Sequence, residues 1–419
     1  MHVQSIHMQK LRAFADARID FIAAATASTG AADNITVLLG DNGAGKSTVL
    51  RAVAASVLAP VLEGRPMSGG WIRRPARTVA ENSVEAISEA AGIDTVVGLH
   101  AQDLVDSGKH AVPARAMMSA RIAWQGNSEL LQWCPPPDGR VADELRQTQW
   151  ERHASAFFLV AYGASRWVDD AHLMDAGRPL PPSLQRQQGV ASLFDNRGLV
   201  PLAAWLPTYA VHNRGRYRQV INLMNRLLPE DCRMLDVTGD QPEGAAIQYQ
   251  MDGVRLPFRA LSDGYQAYAG WIGDMLYHLC LGAPSGRKLV ENHGVVLVDE
   301  IDLHLHPHWQ RDLLPTLARV LPNIQFIVTT HSPLVVGALQ PTNIVVLEGA
   351  GELGNRCARL PEQVHGRSAE QLLLSPYFGL SSTRSADVAA RLQQLRVASE
   401  SGDPAAAAAY LRLLSSAAC

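Results

Sequence analysis

Residues 40–47 read Gly-Asp-Asn-Gly-Ala-Gly-Lys-Ser, and no other feature restricts the fold of this chain as tightly. The run satisfies G-x-x-x-x-G-K-[ST] in full. Before it lies Ile35-Thr36-Val37-Leu38-Leu39, a nearly continuous run that suits a strand buried on both faces. After it, Val49, Leu50, Val53 and Val57 fall at helical spacing. The order is therefore strand, glycine-rich loop, helix. Glycines let backbone N–H groups curl around a phosphate without Cβ clashes. The helix N-terminus adds partial positive charge. Lys46 is spaced to reach the β- and γ-phosphates of ATP and Ser47 to ligate Mg2+, with Asn42, Gly43, Ala44, Gly45 and Thr48 completing the cradle.

A second chemical element lies 253 residues beyond Lys46. Val295-Val296-Leu297-Val298 is an apolar strand that ends in Asp299 and Glu300. Paired with an upstream phosphate loop, Asp299 is expected to hold the Mg2+ shell and Glu300 to polarise an attacking water.

Composition narrows the setting. Lys and Arg total 37 and Asp and Glu 40, a formal net charge of −3, so no global basic excess forces a nucleic-acid reading. Apolar residues are 47% and charged residues 18%, ordinary for a globular protein. No apolar stretch reaches the roughly 18 residues of a membrane span. The opening MHVQSIHMQKLRAF has no apolar signal core, so a cytoplasmic protein without membrane contact is expected. Cys134, Cys232, Cys280, Cys357 and Cys419 form no CxxC pair, against both a zinc knuckle and a disulfide framework.

Pattern divides the rest. Ile6 and Met8, then Ile19 and Phe21, are spaced by two, as in half-buried strands. Signals weaken over 61–155, apart from a hairpin of Arg121–Trp124 and Glu129–Trp133 around Gly126-Asn127, a loop at Cys134–Gly139, and a buried strand at Phe157–Tyr162. Pro179, Pro181 and Pro182 mark a further loop. Tyr217, Val220, Ile221, Met224, Leu227 and Leu228 form an amphipathic helical stripe. Ile247–Met251 and Val254–Phe258 alternate around Asp252-Gly253, a hairpin signal. From Leu261 to Leu347, helix and strand alternate three times, as in parallel α/β architecture. The expected divisions are an ATPase lobe at 1–166, a mostly helical insertion at 167–245, a second ATPase lobe at 246–350 and a helical extension at 351–419, which contains Ala405–Ala409.

Three more segments have two readings each. Leu261-Ser262-Asp263-Gly264-Tyr265-Gln266 opens the helix before the Asp-Glu strand, and Ser262 is a good N-cap. Thr329-Thr330-His331-Ser332-Pro333 follows the strand Asn323–Val328, where a lone histidine is usually structural. His304, His306 and His308 alternate, which invites a metal reading. Pro307 is also a natural first helical residue, and the other reading of the run is a solvent-facing or interface segment.

The order of phosphate loop, LSDGY, Asp-Glu and THSP resembles that of ABC-type ATPases. The gap between Lys46 and Asp299 is longer than in compact transporter domains, and it holds no coiled-coil heptads. The chain therefore looks like the RecF/SMC-like branch of stand-alone AAA-type proteins. Among them it resembles the Septu PtuA and retron-associated defence ATPases, OLD-like but without a Toprim nuclease. The resemblance implies an α/β fold: a P-loop ABC-type head with a mixed β-sheet, a helical insertion and a short helical C-terminal extension. It also implies that Ser262, Asp263 and Gly264 close the γ-phosphate site of a second copy, in a head-to-tail dimer or higher assembly. Asp263 and Tyr265 depart from the family's LSGGQ. His331 matches the histidine that senses the γ-phosphate, and Arg12 an arginine that touches the nucleotide. Residues 302–308 match the segment following the family's catalytic carboxylate. The family's Q-loop glutamine is unassigned: Tyr162–Arg166 occupies its place, with Gln125 and Gln132 as weak alternatives. No acidic nuclease constellation follows Leu347. The expected function is an ATP-hydrolysing switch that regulates a separate effector, such as a nuclease, in anti-phage defence. A RecF-like DNA-repair ATPase and a nucleotide-sensing scaffold are the alternatives, and nucleic acid stays open as a ligand.

Overall fold

The computed structural model describes residues 1–22, 32–74, 90–106, 112–151, 155–168, 180–236, 247–284, 286–349, 351 and 354–415. Pro179 and Cys419 lie outside the described residues. The chain divides into Met1–Gly366 and Arg367–Cys419.

In the first unit, β1 (His2–Leu11) and β2 (Phe14–Asp20) join β4 (Ala90–Gly98), β5 (Arg115–Gln125) and β6 (Ser128–Cys134) in an antiparallel sheet ordered β2-β1-β4-β5-β6. The hairpin of β5 and β6 closes where the Gly126-Asn127 signal placed it, with Gln125 opposite Ser128. β4 carried no readable signal. Its Ala90-Ala91-Gly92 start is poor in strand formers, and pairing with β1 and β5 on either side decides its conformation.

The second sheet is mixed. β3 (Ile35–Gly40), β7 (Leu159–Tyr162), β11 (Gly294–Val298), β12 (Ile324–Thr329), β13 (Ile344–Glu348) and β14 (Arg356–Ala358) are ordered β14-β13-β3-β12-β11-β7. All pairs are parallel except β13 with β14. β14 lies where a helical extension was expected, because three residues pairing with the edge of β13 leave little periodicity to read. β3, β7, β11 and β12 are buried on both faces, as their Val/Ile-rich runs require. Val298 pairs with Val328 and Val328 with Val37, so β11, β12 and β3 end side by side at one edge. In open parallel sheets, ligands bind beyond that edge.

Between the sheets runs α1 (Lys46–Val57), buried nearly all round because Ala52, Ala54 and Ala55 fill the gaps between its larger side chains. α2 (Ala59–Leu62), α3 (Ala101–Asp106) and α4 (Gly139–Trp150) follow. The Cys134–Gly139 loop stops one residue early: Asp138 caps α4, its Oδ1 accepting from Arg140 N at 2.9 Å. α5 (Pro182–Asp195) packs on β7, where Gly163 leaves no room for a Cβ beside Ser192 O. α6 (Leu202–His212) and α7 (Arg214–Leu227) lead to a small antiparallel sheet of β8 (Cys232–Met234), β9 (Gln248–Met251) and β10 (Val254–Pro257). α8 (Asp263–Gly282), α9 (Pro307–Val320) and α10 (Pro333–Val336) alternate with the main strands.

The second unit contains α11 (Ala369–Leu373), α12 (Ala386–Glu400) and α13 (Pro404–Ser415). α12 and α13 form a helical hairpin at Gly402, and Asp403 Oδ1 accepts from Ala405 N at 2.8 Å.

Candidate phosphate and carboxylate site

At the carboxyl edge of β3 the chain turns through residues 41–45 into α1. Gly45 has φ 98°, and a Cβ there would stand 2.7 Å from the Phe14 ring. Only glycine satisfies both the left-handed backbone and that contact. Gly45 sits at the helix N-cap with no side-chain hydrogen bond. The first N–H groups of α1 thus lack a capping side chain and face the loop, the arrangement that binds anions. Lys46 is buried, and its ammonium donates to Gly40 O at 2.7 Å and Asp41 O at 3.0 Å. An ammonium has three donors, so one is left for a ligand. Burial lowers the Lys46 pKa, while Asp299, Glu300 and Asp41 act to raise it. Asn42 and Gly43 are exposed, Ser47 is half-buried, and Ala44 and Thr48 are buried.

Across β12, Asp299 and Glu300 leave the end of β11. Thr329 joins them: its hydroxyl donates to Asp299 Oδ1 at 2.7 Å and accepts from Glu300 N at 2.7 Å. Glu300 has φ 48°, a left-handed conformation that costs a non-glycine residue about 1–3 kcal/mol. Arg166 holds it there. This buried guanidinium donates to Asp299 O at 2.5 Å, Glu300 O at 2.8 Å and Gly163 O at 3.3 Å. Burial pushes its pKa down to about 10, with Asp299, Asp302 and Glu300 opposing. Arg166 was not singled out by sequence reasoning. The available signal was a basic residue just beyond a strand-ending glycine, where the Q-loop was sought. Gln125 and Gln132 instead lie exposed on the β5–β6 hairpin.

His331 is exposed two residues beyond β12, next to the end of β3. The turn around it is fixed: Thr330 Oγ1 donates to Asp302 Oδ1 at 2.5 Å, and Ser332 Oγ to Gln310 Oε1 at 2.7 Å while capping α10.

Ser262 occupies the N-cap position of α8, but its hydroxyl makes no cap bond and is exposed. A Cβ on Gly264 would lie 2.5 Å from His304 O, so the helix start is pressed against the segment that follows Glu300. Tyr265 meets the edge of Trp309 at 4.1 Å and donates to Asp231. Asp263 is exposed. These contacts tie Ser262–Gly264 to 304–309.

The three alternating histidines do not converge. His306 Nδ1 accepts from His308 N at 3.3 Å and caps α9, with Pro307 in its first turn. Among the described residues, no three His, Cys, Asp or Glu side chains are placed to hold a metal. Arg12 is engaged from its side chain, donating to Gly69 O and Gly70 O at 3.2 Å and lying 4.6 Å over the Trp71 ring. It lines a cleft of about 200 Å³ with Arg51 and Arg65. Burial and the nearby Arg51 lower its pKa.

The donors fit a nucleoside triphosphate with Mg2+. An anion-binding helix start, a spare ammonium donor, the Ser47 hydroxyl and the Asp299 carboxylate share one sheet edge.

Comparison with known proteins adds to this. Residues 212–337 match a family described as "AAA domain, putative AbiEii toxin, Type IV TA system", and residues 5–67 match one described as "AAA domain". The chain is 37% identical over 122 residues to the "Retron Ec83 probable ATPase" of Escherichia coli, covering 29% of this chain and 22% of that protein. It is 38% identical over 96 residues to the "Retron Vc95 probable ATPase" of Vibrio cholerae, 23% of this chain and 19% of that one. It is 37% identical over 124 residues to "Septu protein PtuA" of Bacillus mycoides, 29% of this chain and 17% of that one. The matched stretches thus span about a fifth of these relatives. A solved SMC head bound to the C-winged helix domain of ScpA aligns over 86% of this chain and 98% of its own, at 15% identity and TM-score 0.49. The SMC head domain from Thermotoga maritima aligns over 86% and 100%, at 13% identity and TM-score 0.45. With a phosphate loop, a mixed sheet and an Asp-Glu strand on one edge, the chain resembles the retron-associated ATPases and Septu PtuA.

Proposed function

We propose that this chain binds ATP with Mg2+ and hydrolyses it at the edge of β3, β12 and β11. The observation that carries the reading is that the phosphate loop and the Asp299-Glu300 turn leave parallel strands on either side of β12 at one sheet edge, with the Asp299 carboxylate and the Glu300 backbone N–H bonded to the Thr329 hydroxyl and Glu300 O held by Arg166. In this reading Lys46 and the α1 N-terminus bind the β- and γ-phosphates. Ser47 and Asp299 would hold Mg2+, which supplies charge neutralisation on the phosphoryl group when bound. Glu300 orients and deprotonates the attacking water, and His331 senses the γ-phosphate. Arg12, held by Gly69 O and Gly70 O, would contact the nucleotide.

The free hydroxyl of Ser262, on an uncapped helix start, supports a composite site. Ser262, Asp263 and Gly264 of one copy would close the phosphate site of another, in a head-to-tail pair. The names of the retron and Septu relatives support a defence role in which the closed pair regulates a separate effector, such as a nuclease. A mixing experiment tests the composite site. Ser262→Arg and Lys46→Ala proteins are each expected to be inactive. Mixed in equal amounts, they should recover up to about a quarter of wild-type turnover, because half of the pairs regain one intact site of two. No recovery, or full activity of Ser262→Arg alone, would contradict it.

A further inference from the structure

The net charge is −3, yet Asn196 to Pro229 contains five arginines and no aspartate or glutamate. Arg216 is buried and donates to Arg287 O and Pro284 O, which makes it structural. The others on α7 face outward. Arg214, Arg218, Asn222 and Arg226 recur every four residues and are exposed, while Tyr217, Val220, Leu223, Met224 and Leu227 are buried. Twelve residues of helix set these arginines along a line of about 18 Å.

The neighbouring sheet extends the row. Arg233 of β8 and Arg255 of β10 both pair with Gln250 of β9, and both are exposed. Cys232, Met234 and Tyr249 alternate with them and are buried. Asn225 fixes α7 along β8, donating to Met234 O at 3.0 Å and accepting from Met234 N at 2.7 Å. Arg214, Arg218 and Arg226 thus share the exposed side of α7, and Arg233 and Arg255 one exposed face of the sheet beside it. Some exposed arginines elsewhere find carboxylates, as in Arg18–Asp20, Arg140–Glu144, Arg146–Glu63 and Arg311–Asp312, while single ones such as Arg115, Arg121 and Arg319 form no salt bridge among the described residues. Among the described residues, Arg214, Arg218, Arg226, Arg233 and Arg255 make no such pair. The carboxylates at the margins are partly committed: Asp231 accepts from Tyr265 and Asp236 from Tyr217, while Glu230 and Asp252 are exposed.

We propose that this outer face docks the phosphate backbone of a nucleic-acid duplex. Guanidinium forks match phosphate geometry. About 18 Å of duplex presents roughly ten phosphates, enough to engage every arginine of the row. The outward positions of α7 carry no aromatic ring on which an unpaired base could stack, which separates this face from a single-strand platform. Because phosphates alone are read, DNA and RNA duplexes should bind alike. The surface contains no residue of the phosphate loop, so it stands independently of the ATP reading.

The test is fluorescence anisotropy of the full chain with labelled duplexes of about 30 base pairs, across a salt series. Log affinity should fall with log salt at a slope of about −2.7 to −4.5, corresponding to three to five neutralised phosphates. The triple variant Arg214→Glu, Arg218→Glu, Arg226→Glu should weaken binding at least about tenfold and flatten the slope by about 0.9 per arginine. Glutamine at the same positions should give a smaller loss. Arg140→Glu with Arg146→Glu, distant exposed sites, should change neither. Unchanged melting temperatures separate lost binding from lost fold. The proposal is overturned if wild type fails to bind at about 100 μM in moderate salt. It is also overturned if the triple variant binds as wild type, if single strands bind tighter than duplexes, or if polyglutamate competes equally.

Discussion

Replacing Arg166 with lysine isolates what its fork does for Glu300. The guanidinium reaches three carbonyls, and two of them, Asp299 O and Glu300 O, belong to consecutive residues 133 and 134 positions away. Lysine keeps the charge but offers a compact point donor that cannot span both. One charge-assisted bond is lost, worth about 1.5–3 kcal/mol. That is comparable to the cost, about 1–3 kcal/mol, of holding Glu300 at positive φ. The two terms nearly cancel, so the backbone at Glu300 should relax and its carboxylate swing out of line. Turnover should fall by about tenfold to a hundredfold, since a displaced base loses much of the general-base advantage. ATP binding should stay near wild type because the phosphate loop is untouched. A coupled phosphate-release assay measures turnover, a fluorescent ATP analogue reports binding, and thermal melting detects general damage. If Arg166→Lys turns over within about threefold of wild type and melts normally, the bracing argument is wrong.

Three further outcomes follow from the same geometry. Gly264→Ala places a Cβ 2.5 Å from His304 O, and should lower stability by about 1–3 kcal/mol in denaturant titration and impair hydrolysis. Thr329→Val removes the hydroxyl shared by Asp299 and Glu300, and should reduce turnover more than ATP binding, read in the same two assays. His278 is buried beside Asp274, and burial, opposed by Asp274, holds its pKa below the usual 6.5. Protonation therefore favours the unfolded chain. Stability should be full above pH 6.5 and decline as pH falls below it, and His278→Gln should flatten that slope in melting curves.

The parts legible in the sequence were those whose constraint is local. The Gly40–Ser47 loop was legible as strand, loop and helix because the motif and the apolar runs on either side of it are contiguous in the sequence, although the contact of Gly45 with Phe14 was not. The buried runs of β3 and β11 and the hairpin turns at Gly126-Asn127 and Asp252-Gly253 were equally local. What escaped notice depends on distant partners. β4 starts with small residues, and β1 and β5 make it a strand. Arg166 means little until the fold brings it to Asp299 and Glu300. Ser262 reads as a helix cap from its position and as a ligand contact only through the resemblance to LSGGQ, and its hydroxyl makes no cap bond. The role of Gly264 came from a close approach to His304, forty residues on.

Whether this edge hydrolyses ATP is tested most directly by phosphate release from the purified chain with Mg2+, wild type beside Glu300→Gln. Glutamine preserves size and hydrogen bonding but cannot take a proton. Turnover should fall by about 10²–10⁴ while ATP binding persists. A Glu300→Gln protein that turns over within about threefold of wild type would contradict the assignment of Glu300, and with it the catalytic reading of this site.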